Sequence, residues 1–355
     1  MMAYPIFLNE VQLRKLSALI YYREEEAMKT IKFNSEYDQA NFLTGSRAAF
    51  ESVGLLLDTG VQLKLKFHKD RLRSPISHNI FSYIANGLNN ALQLVPNFTL
   101  RKDYIKKIAD LAKALIDALE KLDINKASDV KVLEEEAHEY NHVMVEFAYK
   151  YRSTALSRNF SRSLKEKDIT FEEMVRTYQA VLKFEGLFED LEDEQKIKVY
   201  DKIMQAAGRG TLMVKIKKIM NRSTNMRSRI AGGFLLLFNL GKIVWEIYNS
   251  EHVLQETTKV AVQAVAGFGG AVLGKVIGTA IANAVTCAQA SAGYMVLAGV
   301  TGSFAGAFVL GFFAGWLIDF IFSSGGKVPL STDGLRAYVA PMPNGETLAL
   351  EIAHD

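Results

Sequence analysis

Residues Val260–Gly326 read VAVQAVAGFGGAVLGKVIGTAIANAVTCAQASAGYMVLAGVTGSFAGAFVLGFFAGWLIDFIFSSGG, and only Lys275 and Asp319 are charged among these 67 positions. The inner run Val276–Ile318 has no charge in 43 residues. As one helix it would be roughly 65 Å long, about twice the apolar thickness of a bilayer. Two antiparallel helices joined near Thr286–Gly293 use that length. The run therefore predicts a transmembrane-type helical hairpin. A central helix pair buried in a soluble domain would also lack charge, but such core helices rarely need 18 or more consecutive apolar residues.

The small residues of this stretch are ordered. Ala266, Gly270, Gly274, Gly278 and Ala282 step by four, as do Ala298, Gly302 and Gly306, and then Ala307, Gly311 and Gly315. Such a stripe forms a flat groove where helix backbones approach closely, and in lipid that packing drives association. Lys275, Thr279, Asn283 and Thr286 form a second, polar stripe beside the first. A lysine at bilayer depth costs about 2.5–3.5 kcal/mol and faces water or a partner. These four residues are candidates to line a water-filled path; the competing reading is a snorkelling Lys275. With the turn near Gln289, Asp319 comes level with Lys259, which makes that pair plausible at one interface.

Upstream, Gly208–Arg229 holds Arg209, Lys215, Lys217, Lys218, Arg222, Arg227 and Arg229 and no acid. Next to an apolar segment this reads as attachment to anionic lipid, at about 1 kcal/mol per basic residue near the surface. The alternative is an ordinary solvated face. A net charge of +3 is too small to point to nucleic acid, and no aromatic pattern accompanies the basic run. Ile230–Tyr248 is a third apolar stretch, interrupted by Lys242 and Glu246 four residues apart. It fits a span, an interfacial helix or a core helix.

The chain before Asn221 has helical periodicity. Ile105, Ile108, Leu111, Leu115, Leu119 and Leu122 form one apolar stripe within Arg101–Leu122. Leu133, Ala137, Tyr140, Met144, Phe147 and Tyr151 alternate spacings of four and three, a helix-packing seam. Further helices are expected over Val11–Ile31, Tyr37–Leu72, His78–Val95, Asp129–Thr154, Thr170–Leu187 and Glu194–Ala207, with breaks at Arg73–Ser77 and Phe188–Asp193. In the tail, alternating Leu335, Ala337, Val339 and Leu348, Leu350, Ile352 flank Asn344-Gly345, a β-hairpin signal. The fold class expected is mostly α: a helical-bundle body (1–207), a basic approach segment plus apolar hairpin (208–326), and a short terminal β-hairpin (327–355).

His138-Glu139-Tyr140-Asn141-His142 matches H-E-x-x-H, in which two imidazoles one turn apart bind a metal and the glutamate acts as base. With Glu166 as a third ligand, the spacing resembles the gluzincin proteases in this local window. The face also carries Glu135 and Glu146 and reads as a charged solvated surface, so no catalytic or metal site is expected here. Imidazoles among carboxylates also titrate near neutral pH. No nucleotide-binding loop or nucleophile elbow occurs. The single cysteine, Cys287, excludes a disulfide within one chain. Residues 1–10 lack the pattern of a Sec signal peptide.

The charged helical body followed by an Ala/Gly-rich apolar hairpin over Gly208–Ser323 resembles the plan of pore-forming colicins and of membrane-depolarising type VI secretion effectors. The tail Gly325–Asp355 departs from that plan, and no receptor or translocation domain is recognisable. The resemblance implies an antibacterial toxin without cofactor or enzymatic activity, soluble in the producer and exported without a Sec signal. It would insert in a target inner membrane, oligomerise there and dissipate ion gradients. It also implies an immunity protein, and a chaperone or secretion-system carrier that masks the hairpin. The alternatives are a resident membrane protein or membrane-anchored zinc metallopeptidase, and a soluble helical scaffold with a buried hairpin.

Overall fold

The computed structural model describes residues 5–28, 36–95, 98–152, 154–169, 171–212, 226–249, 330–332, 335–337 and 344–354. Described residues are mostly helical. In chain order the helices are α1 (Glu10–Met28), α2 (Glu36–Phe67), α3 (Arg73–Leu94), α4 (Phe98–Glu120) and α5 (Ala127–Tyr151). They continue with α6 (Ala155–Glu166), α7 (Phe171–Val181), α8 (Asp193–Ala206), α9 (Met226–Asn249) and α10 (Gly345–His354). Two three-residue strands, β1 (Leu330–Thr332) and β2 (Leu335–Ala337), pair antiparallel with Leu330 opposite Ala337.

The periodic stripes become the core. All six apolar positions of the α4 stripe are buried, and so are Leu133, Ala137, Tyr140, Met144 and Phe147 of the α5 seam. Helix α3 lies at the centre, packed on α1, α2, α4 and α5. Its inner face is buried from Ile76 to Leu94 and includes Tyr83, Asn89 and Asn90. The two amides have partners: Asn90 Nδ2 donates to the Met144 carbonyl at 2.9 Å, and Asn89 Oδ1 accepts from the Leu8 amide at 2.9 Å. Buried Arg101 is paired with buried Glu24, which also accepts from Ser46 Oγ. Pairing of this kind keeps a buried charge tolerable.

Several boundaries differ from the sequence reading, each for a local reason. The break before α3 falls at residues 68–72, not at Arg73–Ser77. Asp70 Oδ1 accepts from the Leu72 and Arg73 amides at 3.0 Å. Pro75 then sits in the first turn, where a missing N–H costs nothing. Helix α7 stops at Val181, short of Leu187. Lys183 and Gly186 have φ of 57° and 88°, and Gln179 Nε2 donates to the Phe184 and Gly186 carbonyls at 3.1 and 2.9 Å. Helix α6 starts at a Thr154–Ser157 capping box, so the long helix expected to run to Thr154 ends at Tyr151.

Helix α9 settles the choice left open for Ile230–Tyr248. It packs on α4, α5, α6 and α8. It is the single described helix long and apolar enough to cross a membrane, yet 78% of that window is buried in the body. We read it as a core helix. Tyr104 stacks on Phe238 with ring centroids 4.6 Å apart and donates its hydroxyl proton to Asn239 Oδ1 at 2.7 Å. Gly232 is required where Tyr140 crosses, since a Cβ there would meet the phenol. The packed body thus extends past the boundary expected at 207/208 and takes in α9.

In the tail, Leu335 and Ala337 lie in β2 of an antiparallel pair, and only the second half of the alternating pattern differs from the expectation. Leu348, Leu350 and Ile352 do not form a strand; they belong to α10, which packs on α1 and α3. Asn344 does not begin a hairpin turn. Its Oδ1 accepts from the Glu346 and Thr347 amides at 3.0 and 3.2 Å, which makes it a helix N-cap.

Candidate functional site

In the chain the apolar segment lies between α9 and α10, and both of these flanking helices are packed in the body. On the first flank, Leu240, Ile243, Val244, Ile247 and Tyr248 are buried. Ser161 Oγ donates to the Tyr248 carbonyl at 2.7 Å, which ties the last turn of α9 to α6. On the second flank, Leu348, Ala349 and Ile352 are buried and Gly345 lies against the Leu92 carbonyl. A Cβ at Gly345 would collide with that backbone oxygen, so only glycine permits the approach. Gln12 Nε2 donates to the Ile352 carbonyl at 3.4 Å, and Arg152 pairs with Glu346 at 3.0 Å.

A cluster of charges lies beneath these flanks. Arg209 donates to the carbonyls of Lys150 and Tyr151 at 2.8 and 2.6 Å, to Ser157 Oγ at 3.1 Å and to Glu246 Oε2 at 2.6 Å. It therefore satisfies carbonyls at the end of α5 that the helix leaves without intrahelical partners. Lys150 Nζ returns a hydrogen bond to the Arg209 carbonyl at 2.9 Å. Lys242 is buried one turn before Glu246, with Nζ 5.9 Å from the Tyr151 ring centroid. Burial pushes the Lys242 ammonium down to about 7, partly offset by the Glu246 carboxylate. Burial raises the Glu246 carboxyl, against the pull of Arg209.

This arrangement changes the membership of the basic cluster. Arg209 is 5% exposed, so in this fold its guanidinium faces the interior and not lipid. Arg227 and Arg229 are exposed at the start of α9. Lys215, Lys217, Lys218 and Arg222 lie outside the described residues. So do the groove residues Gly270, Gly274, Gly278, Gly302, Gly306, Gly311 and Gly315, and the polar stripe Lys275, Thr279, Asn283 and Thr286. Thr211 Oγ1 and the Leu212 amide both bond to buried Asp201, at 2.7 and 2.8 Å. The chain entering the basic run is therefore fixed to α8.

His138 and His142 occupy one side of α5, with ring centroids 6.3 Å apart. His138 is exposed, and His142 Nδ1 is 3.7 Å from Glu146 Oε1. No group of three or more metal-capable side chains occurs among the described residues. Within the motif the two imidazoles lie on the outer side of α5, whereas Tyr140 is buried in the seam and Asn141 accepts a hydrogen bond from Asn86 of α3 at 2.7 Å.

No protein-family profile, curated protein or solved structure matches the chain.

The sequence reading missed α6, since no helix was expected between Thr154 and Thr170, and it missed two features of the flanks. The Arg209–Glu246 pair joins residues 37 apart that no motif links. The docking of α10 had a local signal, because Asn344 followed by Gly345 and Glu346 is also a helix start. Leu348, Ala349 and Ile352 fall on one helical face.

Proposed function

We propose that this chain is a pore-forming antibacterial effector that inserts Val260–Phe322 into a target inner membrane and dissipates ion gradients. The observation that carries the reading is the uncharged 43-residue run Val276–Ile318 with its glycines at four-residue steps. Length supplies two bilayer crossings, and the small-residue groove supplies helix association where lipid offers no hydrophobic drive. The body provides a folded carrier. Lys215, Lys217, Lys218, Arg222, Arg227 and Arg229 draw the segment to anionic lipid. Lys275, Thr279, Asn283 and Thr286 line the conducting path of a homo-oligomer. The producer needs an immunity protein, together with a chaperone or secretion carrier that covers the apolar segment before export.

The test is to direct the chain separately to the cytoplasm and to the periplasm of a bacterium while following membrane potential. Depolarisation from the periplasmic side, lost on deletion of Val260–Phe322, is the expected result. A potential that stays unchanged with the chain in either compartment would rule the reading out.

A further inference from the structure

Two loops distant in sequence, 68–72 and 121–126, meet at the end of the bundle where α3 and α5 begin. Arg73 ties them together: its guanidinium donates to the Leu122 carbonyl at 2.7 Å and pairs with Asp70 at 3.0 Å. Each loop leaves one aliphatic side chain in solvent, Leu72 at 44% exposure and Ile124 at 40%. Lys69, Arg71, Lys121 and Lys126 are exposed beside them. With Asp70 paired to Arg73, Asp123 is the one exposed acid of the two loops.

This end lies far from the last turn of α9 and from the start of α10. Helices α3 and α5 run parallel, since Asn86 bonds Asn141 at 2.7 Å and Asn90 bonds the Met144 carbonyl at 2.9 Å. At their other ends, Gly345 lies against Leu92, and Arg209 holds Glu246 beside the carbonyls of Lys150 and Tyr151. The 22 residues of α3, at about 1.5 Å each, put roughly 33 Å between the two places.

Apolar tips among exposed cations suit either a protein partner or a bilayer, and the residue types favour the bilayer. Protein interfaces are depleted of lysine and centre on aromatic or arginine anchors. Here three of the four cations are lysines and both tips are aliphatic. In a headgroup layer a lysine or arginine lays its stem along apolar surface while its charge meets lipid phosphate. We propose that this end of the body is a second lipid-attachment site. Leu72 and Ile124 enter the interface of an anionic bilayer, and Lys69, Arg71, Lys121 and Lys126 meet headgroup phosphates. The site belongs to the folded body. It acts independently of the basic run after Gly208 and of any pore.

The test uses the full-length chain with Cys287→Ser and one new cysteine carrying a polarity-sensitive dye. The cysteine is placed by Ile124→Cys or, as a control, by Leu55→Cys, since Leu55 is 69% exposed partway along α2. Vesicles are phosphatidylcholine with or without phosphatidylglycerol. With phosphatidylglycerol present, the label at 124 is expected to shift to the blue and to escape quenching by aqueous iodide, and the label at 55 to do neither. Salt should weaken the shift. Adding Lys121→Gln and Lys126→Gln, both at exposed positions, should raise the lipid concentration needed for half the shift about 30-fold. A label at 124 that stays in water while the chain sediments with the vesicles overturns the proposal and leaves this end to a protein partner. A shift of equal size without phosphatidylglycerol, or unaltered by the two glutamines, overturns it as well, as does a chain that binds no vesicles. Ion release is not the readout, so the pore reading can fail while this site stands, and the reverse.

Discussion

The Arg209 guanidinium lies 2.6 Å from the Glu246 carboxylate and also hydrogen-bonds the carbonyls of Lys150 and Tyr151. One side chain thus joins the end of α5, the start of α6 and the last turn of α9, the helix that precedes the apolar segment in the chain. Its place in a run of basic residues is incidental to this role.

Arg209→Ala is expected to destabilise the body by about 3 kcal/mol. That is the low end for removing one partner of a buried pair, because Glu246 keeps a quarter of its side-chain exposure. Urea unfolding followed by far-ultraviolet circular dichroism measures it. A midpoint equal to that of the native chain would mean that the contact contributes nothing.

Lys242 sets a pH dependence. In the folded chain its ammonium is pushed down to about 7, whereas in the unfolded chain it keeps the ordinary lysine value of 10.5. Between those values the unfolded state binds more protons, so stability rises with pH from about 7 to about 10.5. Glu246 has the opposite sign in the acid range: its folded carboxyl is raised, so its contribution falls as pH rises through that value. Lys242→Met is expected to flatten the neutral-to-alkaline rise and to stabilise the protein at pH 7. Thermal midpoints across this range, with and without the substitution, decide the matter; parallel curves would contradict it.

Gly345→Ala places a methyl group against the Leu92 carbonyl and is expected to undock α10 while the remaining body stays folded. Amide hydrogen exchange over 346–354 should accelerate, with exchange in α3, α4 and α5 unchanged. Asn344→Ala removes the cap and is expected to have a smaller effect in the same place, about 1 kcal/mol. Slow exchange retained throughout α10 in Gly345→Ala would show that the close approach is not needed.

The readable parts of the sequence were those that one element specifies by itself. The α4 stripe and the α5 seam are buried as their spacing requires, because a helix with one apolar face has one way to bury it. Leu335 and Ala337 lie in a strand, but the stretch from Asn344 was misread because Asn-Gly serves both a hairpin and a helix start. Leu348, Leu350 and Ile352 alternate, while Leu348, Ala349 and Ile352 also share a helix face. Packing against Leu92 decides between them, and Leu350 is left exposed. Arg209 was read with its neighbours in the chain because its partners are Ser157 and Glu246, 52 and 37 residues away. The hairpin, its groove and its polar stripe fall on residues outside those described.

The groove has its own test. Gly274→Leu raises the hydrophobicity of the segment, so partition into vesicles should be retained, but the side chain fills the face along which backbones meet. The variant is expected to sediment with membranes and conduct poorly, whereas Val272→Leu, roughly opposite in phase, conducts as the native chain does. Equal conductance in the two would assign the glycines no role beyond setting hydrophobicity.

The most direct measurement is ion release from anionic vesicles by the purified chain and by a chain lacking Val260–Phe322, in which α9 and α10 are kept. The account predicts that the native chain releases small ions without emptying the vesicles of large solutes, and that the deleted chain is folded and releases none. Equal release by the two proteins would contradict it.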